Sequence, residues 1–283
     1  MEERAGMRGF IDKMRECGGV IDYEDPVAAD YDACRLAHGT DRLLLFHDLE
    51  GKRGVMNVTA TRNALSQALK IPENDLVRRL SLAEFQGNVV CEGNLPMSAP
   101  DLQKIPVMKH FPRDAGKYIT AGIVFSRYGD TENASIHRML VLDEKRVAAR
   151  LVEGRHTYTL HKAAVERGDR LPVAVAIGVH PTVTIASCTR VPKGKELSYA
   201  AELLGGEMPV YRCPNGVLVP DAEIVFEGYI GNETTMEGPF VDITGTYDLV
   251  REQPVIEFTG MHLKKDFIYH GILPGGNEHK MLM

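Results

Sequence analysis

From Lys117 onward the chain consists of short β-strand patterns separated by turns, and no other feature constrains its fold as strongly. Strands are predicted over 118–128, 134–142, 146–152, 171–179, 223–230, 255–263 and 268–273, with a hairpin over 210–219. Helical patterns interrupt them only over 157–168 and 196–204. Many short strands with few helices are typical of a barrel or a curled sheet.

The N-terminal part of the chain alternates helical and strand patterns instead. Helices are predicted over 27–38, 60–70 and 75–80, and the apolar run at 43–46 predicts a buried strand. The segment that follows is typical of a domain linker and contains Pro96, Pro100, Pro106 and Pro112. We therefore predict an α+β protein with a small N-terminal α/β domain over residues 1–112 and a second domain over 113–283.

Composition and charge exclude several classes of function. The 283 residues are 44% hydrophobic and 25% charged, which is ordinary for a globular protein. No run approaches the ~20 apolar residues of a transmembrane helix, and the charged N-terminus lacks the apolar core of a signal peptide. We therefore expect a cytoplasmic protein that does not enter a membrane. A net charge of −6 without a basic stripe argues against nucleic-acid binding.

Three residues in the second half of the chain, Asn133, His156 and Glu196, are candidate metal ligands. Each lies at a transition between predicted elements. An amide oxygen, an imidazole and a carboxylate form a hard, mixed ligand set that suits Mn or Mg better than structural zinc. Such a set also leaves coordination positions for water or phosphate oxygens. Spacing alone does not select these residues, because most residues of these types serve structure or contact solvent.

Arg138 and the segment Glu237-Gly238-Pro239-Phe240-Val241-Asp242 form a second candidate site. Two carboxylates on either side of a Gly-Pro turn can converge on one guanidinium. The arginine would keep one carboxylate ionised through a bidentate pair. Burial and like-charge repulsion would raise the pKa of the other and let it donate a proton. The alternative is a structural ion pair that clamps the turn.

Two further features suit an anionic or aromatic ligand. Ala186-Ser187-Cys188-Thr189 is predicted to be a small polar loop, and small residues let backbone amides approach a phosphate or a flavin ring. An ordinary surface loop would have the same sequence. The helix that opens directly after His156 presents its N-terminus, which is a favourable position for phosphate.

Several segments, taken together and in order, resemble the UbiD family of decarboxylases. Residues 117–122 resemble the strand that opens the flavin domain of that family, and residues 133–138 resemble its Asn-x-x-x-x-Arg motif. Residues 196–201 are similar to its Glu-containing helix. The most recognisable stretch is 219–228 followed by Glu237-Gly238-Pro239-Phe240.

The resemblance implies a split β-barrel domain that binds prenylated FMN and a metal ion, Mn or Mg, with K⁺ as a further candidate. It implies that Asn133, His156 and Glu196 bind the metal, which bridges to the flavin phosphate. The implied cofactor contacts are Ser135, Ile136, His137, Arg138, Arg155, His156, Ala186, Ser187, Cys188 and Glu196. The family's catalytic triad falls on Arg138, Glu237 and Asp242, with Asp242 as the expected proton donor to carbon.

The implied activity is reversible, non-oxidative decarboxylation of an α,β-unsaturated or aromatic carboxylic acid through a cycloadduct with the prenylated FMN. A flavin prenyltransferase would supply the cofactor, and the full-length form is expected to be a homo-oligomer. The sequence departs from the family at Asp242, where Glu is commoner, at His137, where Tyr is usual, and at Arg155, where Gln is frequent. The last two are candidate anion donors, which makes trans-anhydromevalonate phosphate one candidate substrate.

Two expectations concern geometry and length. Asn133 and Arg138 would point to opposite faces of a regular strand, so we expect a bulge or an irregular entry near Ala134. Family members usually continue into a C-terminal α/β domain that supplies a cofactor-binding lysine and much of the oligomer contact. The chain is therefore a decarboxylase or, alternatively, a non-catalytic flavin- and metal-binding subunit or a truncated fragment. An ordinary flavin reductase is a third alternative.

Overall fold

A computed structural model describes residues 6–283 of the chain. Its helices are α1 (Met7–Glu16), α2 (Asp32–His38), α3 (Arg62–Leu69), α4 (Leu76–Ser81), α5 (His156–Glu166), α6 (Pro181–Cys188), α7 (Glu196–Leu204) and α8 (Asn277–Met281), with short 3-10 helices at Glu73–Asp75 and Leu102–Lys104. Its strands are β1 (Val20–Tyr23), β2 (Leu43–Leu49), β3 (Lys52–Met56), β4 (Asn88–Asn94), β5 (Tyr118–Ile119), β6 (Ile123–Tyr128), β7 (Thr131–Ile136), β8 (Met139–Val141), β9 (Arg146–Ala149), β10 (Leu171–Val179), β11 (Glu207–Arg212), β12 (Leu218–Pro220), β13 (Ala222–Glu237), β14 (Phe240–Val241), β15 (Tyr247–Asp248), β16 (Arg251–Leu263) and β17 (Ile268–His270).

The largest sheet has eight strands in the order β5-β8-β9-β16-β13-β10-β6-β7, and every neighbouring pair is antiparallel. Only His137 and Arg138 connect β7 to β8, although five strands lie between these two in the sheet order. A flat sheet would separate them by about 29 Å, whereas three Cα–Cα steps span at most about 11 Å. The sheet must therefore curl until its edges approach, which is the predicted split barrel.

The strand β10 is buried on both faces, and its side chains alternate in size between the two faces. Val173, Val175 and Ile177 enter one core together with aromatic residues of β13 and β16. Ala174 and Ala176 face a second core that contains side chains of α6 and α7. The small alanines let these two helices lie close against the sheet, and both helices contact β7.

The N-terminal part forms its own sheet in the order β1-β2-β3-β17, in which β17 joins from the far end of the chain as a parallel neighbour of β3. In the opposite direction, β4 pairs in parallel with β11. Two of the sheets therefore contain strands from both sides of residue 112. None of the helices in residues 6–283 is long and apolar enough to cross a membrane.

The α+β class is confirmed, and the predicted bounds of 171–179 and 196–204 agree with β10 and α7. Three local predictions were wrong. Ala186, Ser187 and Cys188 end helix α6 instead of forming a loop. Pro181 lies in the first turn of this helix, a position that proline favours. Because the helix is buried nearly all round, its sequence shows no helical period of polar and apolar residues. The helix predicted over 27–38 begins only at Asp32.

The third correction concerns the bulge expected near Ala134. β7 pairs with β6 in a continuous register from Thr131 to Ile136. The irregularity lies instead at His137 and Arg138, where the chain leaves one edge of the barrel and enters β8 near the other. Because the chain passes from β7 to β8 at this point, the Arg138 side chain is reoriented relative to β7. An inserted residue within β7 is therefore not needed.

Candidate active site

Asn133, His156 and Glu196, here called the acceptor cluster, come from three separate elements. Asn133 lies on β7, His156 is the first residue of α5 and Glu196 is the first residue of α7. The structure brings them together. Nδ1 of His156 lies 3.2 Å from Oδ1 of Asn133 and 3.6 Å from Oε1 of Glu196, and the same Asn133 oxygen lies 3.2 Å from Oε1 of Glu196.

With the Asn133 amide in this orientation, all three atoms can offer a lone pair and they face one another, whereas the reversed amide would donate from its NH₂ group to His156 and Glu196. An octahedral ion with ligands at about 2.1 Å separates neighbouring ligand atoms by about 3.0 Å, close to the distances in the acceptor cluster. The set of ligand atoms therefore fits a Mn or Mg ion. Within residues 6–283 no three His, Cys, Asp or Glu side chains form a group that could hold a metal, so this candidate depends on the amide of Asn133.

The electrostatic surroundings of the acceptor cluster favour a cation. Burial raises the pKa of Glu196 to about 7, and the neighbouring Glu132 acts in the same direction. A divalent ion would offset both effects, because it favours the ionised carboxylate. The side chain of His156 is 44% exposed, so one side of the cluster is accessible from solvent.

A buried hydrogen-bond network lies behind Asn133. The Asn133 amide nitrogen is 2.9 Å from Oγ1 of Thr157 and 3.1 Å from Oγ of Ser135. His137 Nε2 lies 2.8 Å from Ser135 Oγ, and His137 Nδ1 lies 2.8 Å from the carbonyl oxygen of Arg150. Both ring nitrogens of His137 are thus engaged inside the protein, and burial lowers its pKa, so it is not placed as an anion donor.

The N-terminus of α5 is open to an anion. Its N-cap residue, Arg155, makes no side-chain capping hydrogen bond, and the first turn contains no acidic residue. The first amides of a helix have no intrahelical partner and carry the positive end of the dipole. Arg155 itself is exposed directly in front of this turn, which agrees with a position next to a phosphate group.

Arg138, Glu237 and Asp248, here called the arginine cluster, form the second part of the site. Arg138 donates from Nε and Nη2 to the two oxygens of Glu237 at 2.9 and 3.0 Å, and from Nη2 to Asp248 at 3.1 Å. Glu237 is fully buried. Burial opposes the charge of Arg138, but the hydrogen bonds and the negative charges of Glu237 and Asp248 together outweigh this and raise the arginine pKa. The pair is therefore a fixed ionic unit.

The expected convergence of two carboxylates on Arg138 occurs, but the second is Asp248 and not Asp242. The hairpin β14–β15 pairs Phe240 with Asp248 and carries the latter back to the arginine. Asp242 lies in the turn of this hairpin, where its carboxylate accepts from the amide of Ile243. Sequence reasoning missed Asp248, because only the pairing of two very short strands brings it close.

The residues predicted to lie against the flavin ring divide into two groups. Ile136 and Cys188 pack around a small apolar cluster formed by Ala121, Ile272 and Leu282. Burial raises the pKa of the Cys188 thiol to about 12, so it is an apolar contact and not a nucleophile. The Ser187 hydroxyl, by contrast, donates to carbonyl oxygens within α6.

Two family models match the chain. The 3-octaprenyl-4-hydroxybenzoate carboxy-lyase N-terminal domain matches residues 11–83, and the corresponding Rift-related domain, of the UbiD type, matches residues 83–277. The chain is 46% identical over 282 residues to an anhydromevalonate phosphate decarboxylase of Methanosarcina mazei, covering 98% of the chain and 67% of the relative. It is 51% identical over 241 residues to the enzyme of that name from Archaeoglobus fulgidus, covering 83% and 56%.

Solved structures of the same type have the same fold. The UbiD-class enzyme HmfF from Pelotomaculum thermopropionicum, in an evolved dimeric form in complex with prFMN, superposes with a TM-score of 0.92 at 29% identity. The superposition covers 98% of this chain and 70% of that one. The HmfF complex with FMN gives the same TM-score at 30% identity, covering 98% and 66%. The chain thus spans about two thirds or less of the length of most of these relatives.

Proposed function

Because the chain belongs to the UbiD family, we propose that it is the flavin- and metal-binding part of a carboxy-lyase that decarboxylates an α,β-unsaturated acid reversibly and without net oxidation. The observation that carries the proposal is that Asn133, one member of the acceptor cluster, lies on β7, the strand that leads directly into Arg138. A cation position and a fixed arginine–carboxylate pair then flank one short segment, residues 133–138. Decarboxylation needs both, because it must bind a phosphorylated cofactor and control a proton.

Asn133, His156 and Glu196 would hold Mn or Mg, and the N-terminus of α5 would face the phosphate of the flavin. Ile136 and Cys188 would contact its ring system. The structural neighbours that bind prFMN or FMN support a flavin cofactor. Prenylated FMN, when bound, supplies the carbon centre that adds to the substrate double bond and stabilises the charge left after carbon dioxide departs.

The arginine cluster would orient the substrate. Nη1 of Arg138 makes no hydrogen bond to any residue in 6–283, so it is able to donate to the carboxylate that is removed. Although burial acts in the opposite direction, Arg251 and Arg138 lower the pKa of Asp248, which is a poor acid for that reason. Both oxygens of Glu237 accept hydrogen bonds from Arg138. Asp242 lies outside this ionic unit, so we assign it the proton that replaces carbon dioxide.

We propose trans-anhydromevalonate phosphate as the substrate. The support comes from the two relatives with that name, at 46% and 51% identity. Arg155, exposed beside α5, is a candidate contact for the second phosphate that such a substrate brings. Supply of the cofactor by a flavin prenyltransferase, a cytoplasmic location and homo-oligomer formation by the full-length protein remain predictions.

The test is release of carbon dioxide from this substrate by protein that was co-expressed with a flavin prenyltransferase and supplied with Mn²⁺. Glu237→Gln should lower the rate by about 10²-fold, because it breaks the bidentate pair that positions Arg138. Glu233→Gln, on the exposed end of the same strand β13, is the matched control and should retain full activity. Full-length protein that binds flavin and Mn²⁺ without turnover would contradict the proposal and favour a non-catalytic binding subunit. Nicotinamide oxidation that survives Glu237→Gln would favour a flavin reductase.

A further inference from the structure

The buried network behind Asn133 contains two hydroxyl groups and one imidazole. Oγ of Ser135 and Oγ1 of Thr157 lie 2.9 Å apart. His137 Nε2 lies 2.8 Å from the serine oxygen and 3.2 Å from the threonine oxygen. Both hydroxyl oxygens also contact the Asn133 amide, at 3.1 and 2.9 Å. The hydrogen positions in this network decide which end of the amide faces the other members of the acceptor cluster.

The tautomer of His137 follows from its other ring nitrogen. Nδ1 lies 2.8 Å from the backbone carbonyl oxygen of Arg150, which is an acceptor only. The proton of a neutral imidazole must therefore sit on Nδ1, and Nε2 offers a lone pair. His137 is consequently an acceptor toward the hydroxyls of Ser135 and Thr157.

Counting hydroxyl hydrogens shows what this acceptor does. With His137 present, one hydrogen can go to Nε2 and the other to the oxygen of the first hydroxyl. Both oxygens then present lone pairs to Asn133, whose NH₂ group can donate to them. Its carbonyl oxygen can then face His156 and Glu196, as a metal ligand must. The same count also allows the reversed amide, in which Thr157 donates to that oxygen, so a bound cation selects between the two orientations.

Without an acceptor at Nε2 the count changes. One hydroxyl hydrogen can still bond to the other oxygen, but the second has no acceptor in the network except the Asn133 carbonyl. The amide would then turn round. In that reversed orientation its oxygen accepts from Thr157 Oγ1 at 2.9 Å, and its NH₂ group donates to His156 Nδ1 and Glu196 Oε1, both at 3.2 Å. An NH₂ group cannot coordinate a cation.

We propose that His137 is a positioning residue for the metal site: as a hydrogen-bond acceptor for the Ser135–Thr157 pair, it allows the carbonyl oxygen of Asn133 to be directed toward His156 and Glu196 when a cation is bound. This inference rests on the proposed function, since it assumes that the acceptor cluster binds a metal. It places His137 behind the site, where both of its ring nitrogens have partners within the protein.

Two amide substitutions separate this role from a purely structural one. In His137→Asn the new side chain reaches the position of Nδ1, so it can keep the bond to Arg150 but removes the acceptor at Nε2. In His137→Gln the side chain reaches the position of Nε2 and can restore the acceptor, but it gives up the bond to Arg150. A structural anchor would favour Asn, whereas the proposed role favours Gln.

The measurement is titration of flavin-free protein with MnCl₂, with free Mn²⁺ followed by electron paramagnetic resonance. His137→Asn should weaken Mn²⁺ binding by about 10-fold or more, the size expected for loss of an outer-shell partner, and His137→Gln should bind more tightly than His137→Asn. His161→Asn is the matched control, because His161 is also part-buried and bonded to a carbonyl, but lies in the middle of α5, away from its N-terminus. The Mn²⁺ affinity of His161→Asn should equal that of the wild type.

The outcomes distinguish the two proposals. Equal affinities for His137→Asn and wild type, or the reverse order of Asn and Gln, would overturn the role of His137 while leaving the metal site intact. A wild-type chain that does not bind Mn²⁺ would overturn the metal site and this inference together. Thermal unfolding shows whether each variant is folded, and His137→Phe, which also lacks the acceptor, replaces His137→Asn should the latter not fold.

Discussion

Residues 133–138 contribute Asn133 to the acceptor cluster and Arg138 to the arginine cluster, yet the two clusters differ in how their polar atoms are paired. In the arginine cluster, the guanidinium of Arg138 donates to both carboxylates. In the acceptor cluster, three lone-pair atoms face one another and the donors lie behind Asn133. The first arrangement keeps its geometry by itself, whereas the proposed function requires a cation to stabilise the second. One site thus combines a fixed ion pair with a position for an exchangeable ion.

The sharpest way to break this comparison is Arg138→Ala. Loss of the guanidinium leaves the carboxylate of Glu237 buried without a partner, which should cost about 3–5 kcal/mol of unfolding free energy. Decarboxylation should be abolished, while the affinity for Mn²⁺ changes little in the protein that remains folded. Urea denaturation and Mn²⁺ titration measure the two effects. Arg146→Ala is the control, because its partners Asp143 and Glu233 are exposed, and its unfolding midpoint should match the wild type.

His156→Ala should give the opposite pattern. It removes one of the three atoms of the acceptor cluster, so Mn²⁺ affinity should fall by more than the roughly 10- to 100-fold typical of an outer-shell change. Stability should be nearly unchanged, because the side chain is 44% exposed. His161→Ala, later on α5, should bind Mn²⁺ normally. If His156→Ala destabilised the fold and Arg138→Ala released the metal, the roles of the two clusters would be reversed.

A smaller effect should distinguish the two aspartates of hairpin β14–β15. Asp242→Asn should lower the decarboxylation rate without lowering the stability of the folded chain, because Asp242 accepts only from the amide of its neighbour. Asp248→Asn should do the reverse: the unfolding free energy falls by up to about 1 kcal/mol, with a smaller loss of rate. Parallel rate and denaturation measurements test this. A full loss of rate in Asp248→Asn alone would make Asp248 the acid.

The smallest predicted effect is a pH dependence of stability. Burial opposes ionisation of Asp248, but hydrogen bonds from Arg251 and the charge of Arg138 outweigh it and lower its pKa. A lowered pKa gives stability that is present above the unfolded value of about 3.9 and lost as pH falls through the folded value. The difference between wild type and Asp248→Asn should therefore be seen near neutral pH and should shrink below about pH 4. A difference that grew on acidification would contradict the ion pair.

The parts of the fold that could be predicted are those with a strong local period. β10 alternates valine or isoleucine with alanine, and α7 begins at Glu196 and ends before Gly205, so both were located from the sequence. α6 has no polar face, and its apolar sequence gave no helical period. The curl of the barrel depends on a two-residue connection between distant strands, which no local pattern contains.

The site shows the same limit. Asn133, His156 and Glu196 are separated by long stretches of chain, so only the family resemblance selected them, and the structure brings them together. Arg138 and Glu237 were predicted from two separate motifs, and the structure brings them into contact. Asp248 could not be predicted, because it reaches Arg138 through a hairpin of two-residue strands. The polarity of the network around His137 depends on where hydrogens lie, which residue types alone do not determine.

The most direct test of the account is a crystal structure of the protein grown with MnCl₂, with data collected at the manganese absorption edge. The account predicts one anomalous peak at about 2.1–2.3 Å from Oδ1 of Asn133, Nδ1 of His156 and Oε1 of Glu196, with the Arg138–Glu237 pair unchanged. A peak at another site, or a structure in which the amide nitrogen of Asn133 faces His156 at saturating Mn²⁺, would contradict it.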